Sequence, residues 1–248
     1  MRQAAPDVRG YAVTHPGGTV VLPQASGWDQ LIHASSGVMT VHADTARWVV
    51  TPERAVWVPG GVEHRIELDG QVRLRTLYVR SGIIGSNRLS AVAALQLSPL
   101  VRELVLHLVA SAPLWFTDDR SERLVRVLAD LLGEQEPVPM RLPWPSDPRA
   151  SALAERIVAD PSATIASLAS EVGASVRTLE RRFVAETSLT PQGWRRRARL
   201  LHATRLLAQG WSVTDAALAA GYSTPSAFTA AFRRDTGTTP TRYVAGLT

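Results

Sequence analysis

The chain has no cysteine, and no lysine either. Without cysteine there is no disulfide, no thiolate nucleophile and no Cys-ligated metal, which fits a reducing compartment. Without lysine, all 27 basic residues are Arg. Arg suits bidentate contacts to phosphate and guanine. Aromatic residues make up only 6% of 248 positions. No apolar run reaches the roughly 18 residues of a membrane helix. The first residues, MRQAAPDVRGYAVTHPGG, lack the apolar stretch of a secretion signal. A cytoplasmic protein with no membrane segment is expected. No Ser-His-Asp grouping, Gly-rich phosphate loop or paired-carboxylate motif stands out, so we expect no enzyme and no cofactor.

What the chain does have is a motif written twice. IASLASEVGASVRTLERRFVAETSLTP (165–191) is answered by VTDAALAAGYSTPSAFTAAFRRDTGTTP (213–240). Gly173 matches Gly221, Phe183 matches Phe232, Thr187 matches Thr236 and Pro191 matches Pro240. The offset is 48 before the turn and 49 after it, so the second copy has one extra turn residue. Each copy is a short apolar helix, a Gly where the chain must turn, and a second amphipathic helix. That is the pattern of a helix-turn-helix, whose second helix enters the DNA major groove.

Charge follows the motif. Residues 1–146 hold 14 Arg and 14 acids; residues 147–248 hold 13 Arg and 8 acids. The net charge of +5 therefore sits wholly on the repeated half. Segment 175–205 alone has eight Arg against two Glu, a basic concentration suited to a polyanion.

Five prolines in 133–148 interrupt helix and sheet alike and predict an interdomain linker. We expect a sensing and dimerisation domain over 1–136, a Pro-rich linker over 137–148 and a DNA-binding domain over 149–248. In the first, segments 37–42, 47–51, 54–58, 63–68 and 72–79 are short, Val- and Trp-rich and often alternating. They predict an antiparallel sandwich or barrel across 19–80. Segments 98–110 and 121–132 then have helical periodicity, with stripes Leu100–Leu104–Leu108 and Leu124–Val127–Leu128–Leu131. They predict a helical hairpin that packs on the barrel or joins a second copy as a homodimer. Beyond the linker the punctuation is helical. Thr190-Pro191, Thr224-Pro225 and Thr239-Pro240 each set a capping hydroxyl before a first-turn Pro. Ser212 and Asp215 have capping-box spacing. Residues 192–209 form a long helix joining the copies.

On the second helix of the first copy, Val176, Leu179 and Phe183 recur at core spacing. Arg177, Thr178, Glu180 and Arg181 then project outward, where Arg can grip guanine and Glu can accept from cytosine. On its counterpart, Ala227, Phe228, Ala231 and Phe232 are the expected buried set. Ser226, Thr229 and Ala230 face out, followed by Arg233 and Arg234. This second surface lacks long donors near its start and should mainly hold the backbone of double-stranded DNA.

These residues resemble the AraC/XylS-type transcription regulators. The likeness is carried by Ala169–Gly173, SVRTLERRF (175–183), GYSTPSAFTAAFRR (221–234) and TGTTPTRYV (236–244). It implies a seven-helix domain with two helix-turn-helix units in successive major grooves. Members often carry a long polar residue where this chain has Ala230. The first half looks like the cupin-type sensor of many members, through segments 30–41 and 54–66. The fold expected is therefore two-domain α+β: a cupin-like antiparallel β-barrel with a helical hairpin, then an all-α tandem helix-turn-helix domain. Pro59-x-Gly61-x-x-His64 fits the second cupin motif, which supplies one imidazole where a metal binds. The first motif's His pair is replaced by Gln24 and Ser26, too few ligands to assume a metal. Trp28, His33, His42, Trp57 and His64 could instead line a pocket for a small organic effector, or the tryptophans could simply be core. A cupin enzyme with a DNA-binding tail lacks half its ligand set. An alkylation-repair regulator would need a nucleophilic Cys. A regulator without an effector remains open. RNA polymerase is a partner if the protein is an activator.

Overall fold

The computed structural model describes residues 5–20, 27–85, 89–135, 141–236 and 239–245. The expected motif positions Gln24 and Ser26, and linker residues 136–140, lie outside the described residues. The chain divides into two compact units: Met1–Asp44 with Trp48–Arg141, and Thr45–Arg47 with Leu142–Thr248.

The first unit is an antiparallel sheet with two helices on one face. Its strands are β1 (Val8–His15), β2 (Gly18–Val20), β3 (Trp28–Ala43), β4 (Ala46–Val50), β5 (Arg54–Val58), β6 (His64–Arg80) and β7 (Ala93–Gln96). β6 is the spine, with β3 on one edge and β1 and β2 on the other. The far edge of β3 takes β5, which pairs in turn with β7. Among the described residues this path does not return on itself, so the sheet does not close as a barrel would. β3 and β6 spend both edges, while β1 at one end and β7 at the other do not pair with each other.

The two segments expected at 63–68 and 72–79 are one 17-residue strand. Gly70 (φ 71°) lets it bend without ending. Opposite the bend, the register of β3 shifts between Ala34 and Ser36 and again before Val38. Gly37 (φ 81°) is required there, since a Cβ would lie 2.4 Å from the Gln71 carbonyl oxygen. β1 falls outside the expected sheet region because only Val8 of its eight residues is buried.

α1 (Pro99–Ser111) and α2 (Asp119–Glu134) cover one sheet face. Val101, Val105, Leu108, Val125, Leu128 and Leu132 pack there with Leu31, Trp57, Leu77 and Val79. The core stripe is thus rotated from the expected Leu100–Leu104–Leu108 line. Leu100 is 64% exposed and Val127 47% exposed, while Leu104 is only half-buried against the core. Val101 and Val105 seat against the sheet beside Leu108, while Leu100 is left outside.

The second unit is helical: α3 (Pro148–Ala159), α4 (Ile165–Glu171), α5 (Val176–Thr187), α6 (Pro191–Ala208), α7 (Val213–Ala219), α8 (Pro225–Thr236) and α9 (Pro240–Ala245). The hydroxyls of Thr190, Thr224 and Thr239 accept from the amides three residues on, as their placement before Pro predicts. Ser212 caps α7 in the same way, and its own hydroxyl donates to the Asp215 carboxylate. α6 is the central beam, buried at Trp194, Ala198, Leu201, Leu206 and Leu207. Trp194 meets Phe183 of α5 edge-on, with ring centroids 5.9 Å apart. Further along, Leu200, Ala203 and Leu207 pack with Phe228 and Phe232 of α8.

Candidate nucleic-acid interface

The two copies make the same turn with the same backbone bonds. The Gly173 amide donates to Ser170 O and the Ala174 amide to Ala169 O. The Gly221 amide donates to Leu218 O and the Tyr222 amide to Ala217 O. Both glycines sit in the left-handed region, at φ 64° and 80°. This paired closure ends a helix on a glycine and aims the chain into the next one. Ser175 caps α5 two residues after Gly173, whereas Thr224 caps α8 three residues after Gly221. The extra residue of the second copy is therefore in the turn.

α5 carries the first reading face. Leu179 and Phe183 are fully buried and Val176 is half-buried. Arg177, Glu180 and Arg181 are exposed, and Thr178 is half-buried with its hydroxyl 2.9 Å from Ser175 Oγ. The remaining charged groups of α5 turn back to the fold. Arg182 pairs with Asp147 at 3.4 Å. Glu186 accepts from the backbone amides of Asp147 and Ser146 and from the Ser146 hydroxyl, which holds its carboxyl below the usual range. The helix thus ties its rear charges to the start of α3. Its front ones make no ion pair among the described residues.

α8 carries the second face. Its buried set is Phe228, Ala231 and Phe232. Ala227, expected in that set, is exposed, because it lies in the first turn on the outer side of Phe228. Ser226, Thr229, Ala230, Arg233 and Arg234 line an open concavity of about 770 Å³, flanked by Pro225 and Thr239. Arg233 and Arg234 are exposed, and Arg234 also bonds Asp235 at 3.2 Å. The floor is short side chains; the cations stand two turns on.

The eight Arg of segment 175–205 do not all serve one surface, as charge alone suggested. Arg195 and Arg199 of α6 are half-buried and donate to the carbonyls of Ala163 and Pro161. Composition shows a cation but not which way its stem runs, and here a neutral acceptor nearby takes the guanidinium.

A helix-turn-helix domain model matches residues 168–246. A model of the AraC-like ligand binding domain matches residues 6–171, about two thirds of the chain. The chain belongs to the AraC family. It is 33% identical over 221 residues to the HTH-type transcriptional regulator NimR of Escherichia coli, covering 88% of this chain and 80% of that protein. It is 34% identical over 127 residues to the HTH-type transcriptional regulator RipA of Corynebacterium glutamicum, covering 50% of this chain and 38% of that one. Among solved structures, the DNA-binding domain of AdpA in complex with a target DNA is 33% identical. That match covers 41% of this chain and 93% of the other, with a TM-score of 0.38. This AraC-family protein is a DNA-binding transcription regulator with an N-terminal ligand-binding domain, and not an enzyme.

In the ligand-binding half of this AraC-family chain, the five expected pocket residues do not come together. Trp57 is fully buried in the core under α1 and α2, its indole N–H donating to Leu89 O at 2.9 Å. His33 lies on that same covered face, opposite Ala55. Burial pushes its pKa down to about 4, so it stays neutral and donates from Nε2 to Pro52 O at 2.9 Å. His42 lies further along, 3.0 Å from the carboxylate of the exposed Glu67. Trp28 is half-buried beneath the Arg9 guanidinium, 4.3 Å from its ring centroid.

His64 lies on the opposite sheet face, which is itself buried at Gln30, Ile32, Val56 and Thr76; its Nε2 is 3.1 Å from Gln30 Oε1 and its Nδ1 donates to Val62 O. The reason is register: residues either side of a shift in β3 cannot be assigned to a face by counting. Two residues that the sequence did not single out share the face of His64. Thr76 and Tyr78 alternate with the core residue Leu77, and neither of their buried hydroxyls has a hydrogen-bond partner among the described residues. Burial pushes the Tyr78 phenol up to about 12. Among the described residues no cluster of three or more His, Asp or Glu could hold a metal ion. None of their helices is long and apolar enough to cross a membrane.

Proposed function

We propose that the α5 face reads base edges through Arg177, Thr178, Glu180 and Arg181, and that α8 chiefly grips phosphates. In α8, Ser226 and Thr229 touch the groove while Arg233 and Arg234 meet the backbone. The supporting observation is the division of labour on α5. Arg182 and Glu186 are spent on the fold, while Arg177, Glu180 and Arg181 stand exposed, without ion pairs among the described residues, at the end that enters the groove. Arg on guanine and Glu on cytosine are the pairings such a face can make.

The rest of the reading is regulatory. Residues 1–136 form a cupin-like domain that senses a small organic effector, 137–148 link it, and 149–248 bind DNA. The effector meets the sheet face of His64, Gln30, Thr76 and Tyr78, whose two idle hydroxyls are what a polar ligand would satisfy. The exposed apolar residues Leu100 and Val127 favour a homodimer through α1 and α2. The protein is cytoplasmic, and contacts RNA polymerase if it activates.

The test is selection of binding sites by the full chain from a random-sequence duplex library. A two-part site is expected, with the sharper base preference in one part. Arg181→Ala should flatten that preference at one base pair. If Arg181→Ala leaves the selected sequence unchanged, α5 is not the reader.

A further inference from the structure

Arg199 lies half-buried near the middle of α6, the helix that joins the two copies. Its Nε donates to Pro161 O at 2.8 Å, and its Nη2 donates to the same carbonyl. One turn earlier, Arg195 Nη1 donates to Ala163 O at 2.5 Å. Residues 160–164 run from α3 into α4 and set how the first copy enters its turn. Two guanidiniums one turn apart on α6 therefore hold that entry. Charge-assisted bonds of this kind are stronger than neutral ones. Burial, and then the neighbouring charge of Arg199, draw Arg195 below its ordinary value, so the pair is held together against its own repulsion.

The same Arg199 guanidinium also faces the second copy. A Cβ built on Gly221 would lie 3.2 Å from Nε and Nη2 and 3.3 Å from Cζ. At the matching Gly173 a Cβ would meet nothing within 4 Å. Both glycines are required by their left-handed backbone, but only the second turn has a cation packed over it. One side chain thus bonds the entry of the first motif and covers the turn of the second.

We infer that Arg199 is a positioning residue that holds the two helix-turn-helix units at one fixed spacing, so that the chain accepts its two half-sites in a single register along DNA. The inference rests on the reading of α5 and α8 as the helices that enter DNA. One base pair inserted between half-sites moves the second by roughly 3.4 Å and turns it by roughly 35° about the duplex. A rigid pair of readers cannot follow that displacement; a pair hinged on α6 can. Nothing in this role requires Arg199 to touch DNA.

The experiment uses the full chain and the two-part site it selects from a random duplex library. Variants of that site carry one base pair added or removed between the parts. Wild type should lose about tenfold or more in affinity on either change, as for one lost specific base contact or more. Arg199→Ala should bind the original site more weakly and yet lose only about threefold or less on insertion. Arg199→Lys keeps the charge without the planar fork and should fall between the two. A merely structural Arg199 would lower stability and leave the insertion penalty alone. An unchanged penalty in Arg199→Ala of wild-type helicity overturns the inference.

If Arg199→Ala does not fold, Gly221→Ala in the wild-type and Arg199→Lys backgrounds decides the matter. The backbone strain at residue 221 is common to both and cancels. A smaller loss of stability beside Lys supports the contact; equal losses overturn it. A selected site to which wild-type binding ignores insertion refutes the fixed spacing alone. Failure to enrich any site refutes the reading of α5 and α8 as well.

Discussion

The two helix-turn-helix copies are alike inside and unlike outside. Their turns close with the same two amide bonds, offset by 48 residues, and each seats its Phe against the beam or its neighbours. Their outer faces differ in kind. α5 presents Arg177, Glu180 and Arg181; α8 presents Ser226, Ala227, Thr229 and Ala230 before its cations begin. The inner residues answer to packing, which is the same problem in both copies. The outer residues answer to whatever each copy meets. A repeat that keeps its interior and changes its exterior has kept a scaffold and divided a task.

The sharpest way to break the likeness is from within. Phe183→Ala and Phe232→Ala should each destabilise the helical unit by about 3–5 kcal/mol in denaturant melts, since both rings are fully buried. If one of them costs under about 1 kcal/mol, the two interiors are not equivalent.

The difference outside should show in affinity. Arg181→Ala should weaken binding to a selected site by about 1–3 kcal/mol, with base preference lost at one position. Thr229→Ala should cost under about 1 kcal/mol and leave preference intact, because the floor around Ala230 offers few long donors. Equal losses measured by titration at fixed salt would erase the proposed ranking.

The smallest effects test the short entry helices. Thr164→Ala and Ser212→Ala each remove a capping acceptor from a seven-residue helix and should cost about 1 kcal/mol apiece. Ser212 also donates to Asp215, so its loss should be the larger of the two. The reverse order in thermal melts would show that the Asp215 contact adds nothing.

Legibility followed the same divide. The helical half was readable because its signals are local: hydroxyl before Pro, Gly at the turn, Phe at core spacing. Ala227 misled because alanine carries little preference for either side of a helix. The sheet half was less readable because its signals are not local. β1 is mostly exposed, and β6 hides its continuity behind Gly70. The register shifts in β3 decide which face His33 and His42 take, and no count along the chain anticipates them. Of the Leu stripe expected on α1, Leu108 is core, but Val101 and Val105 complete the seating in place of Leu100. Thr76 and Tyr78 lie in no motif, and Gln30 only opens the segment 30–41 of the family likeness. They stand out only when their register neighbours are known.

The closure of the turns by main-chain atoms has a consequence for change over time. An amide-to-carbonyl bond is supplied by any residue but proline, so the turn does not depend on what the helix after it displays. Among the described residues Arg177, Glu180 and Arg181 make no side-chain hydrogen bond or ion pair, while Arg182 and Glu186 behind them do the anchoring. The front of α5 is therefore a panel that can be rewritten without rebuilding the wall. A library randomised at those three positions should stay folded almost throughout. A descendant of this gene could change its target sequence by single substitutions, each of them nearly neutral for folding.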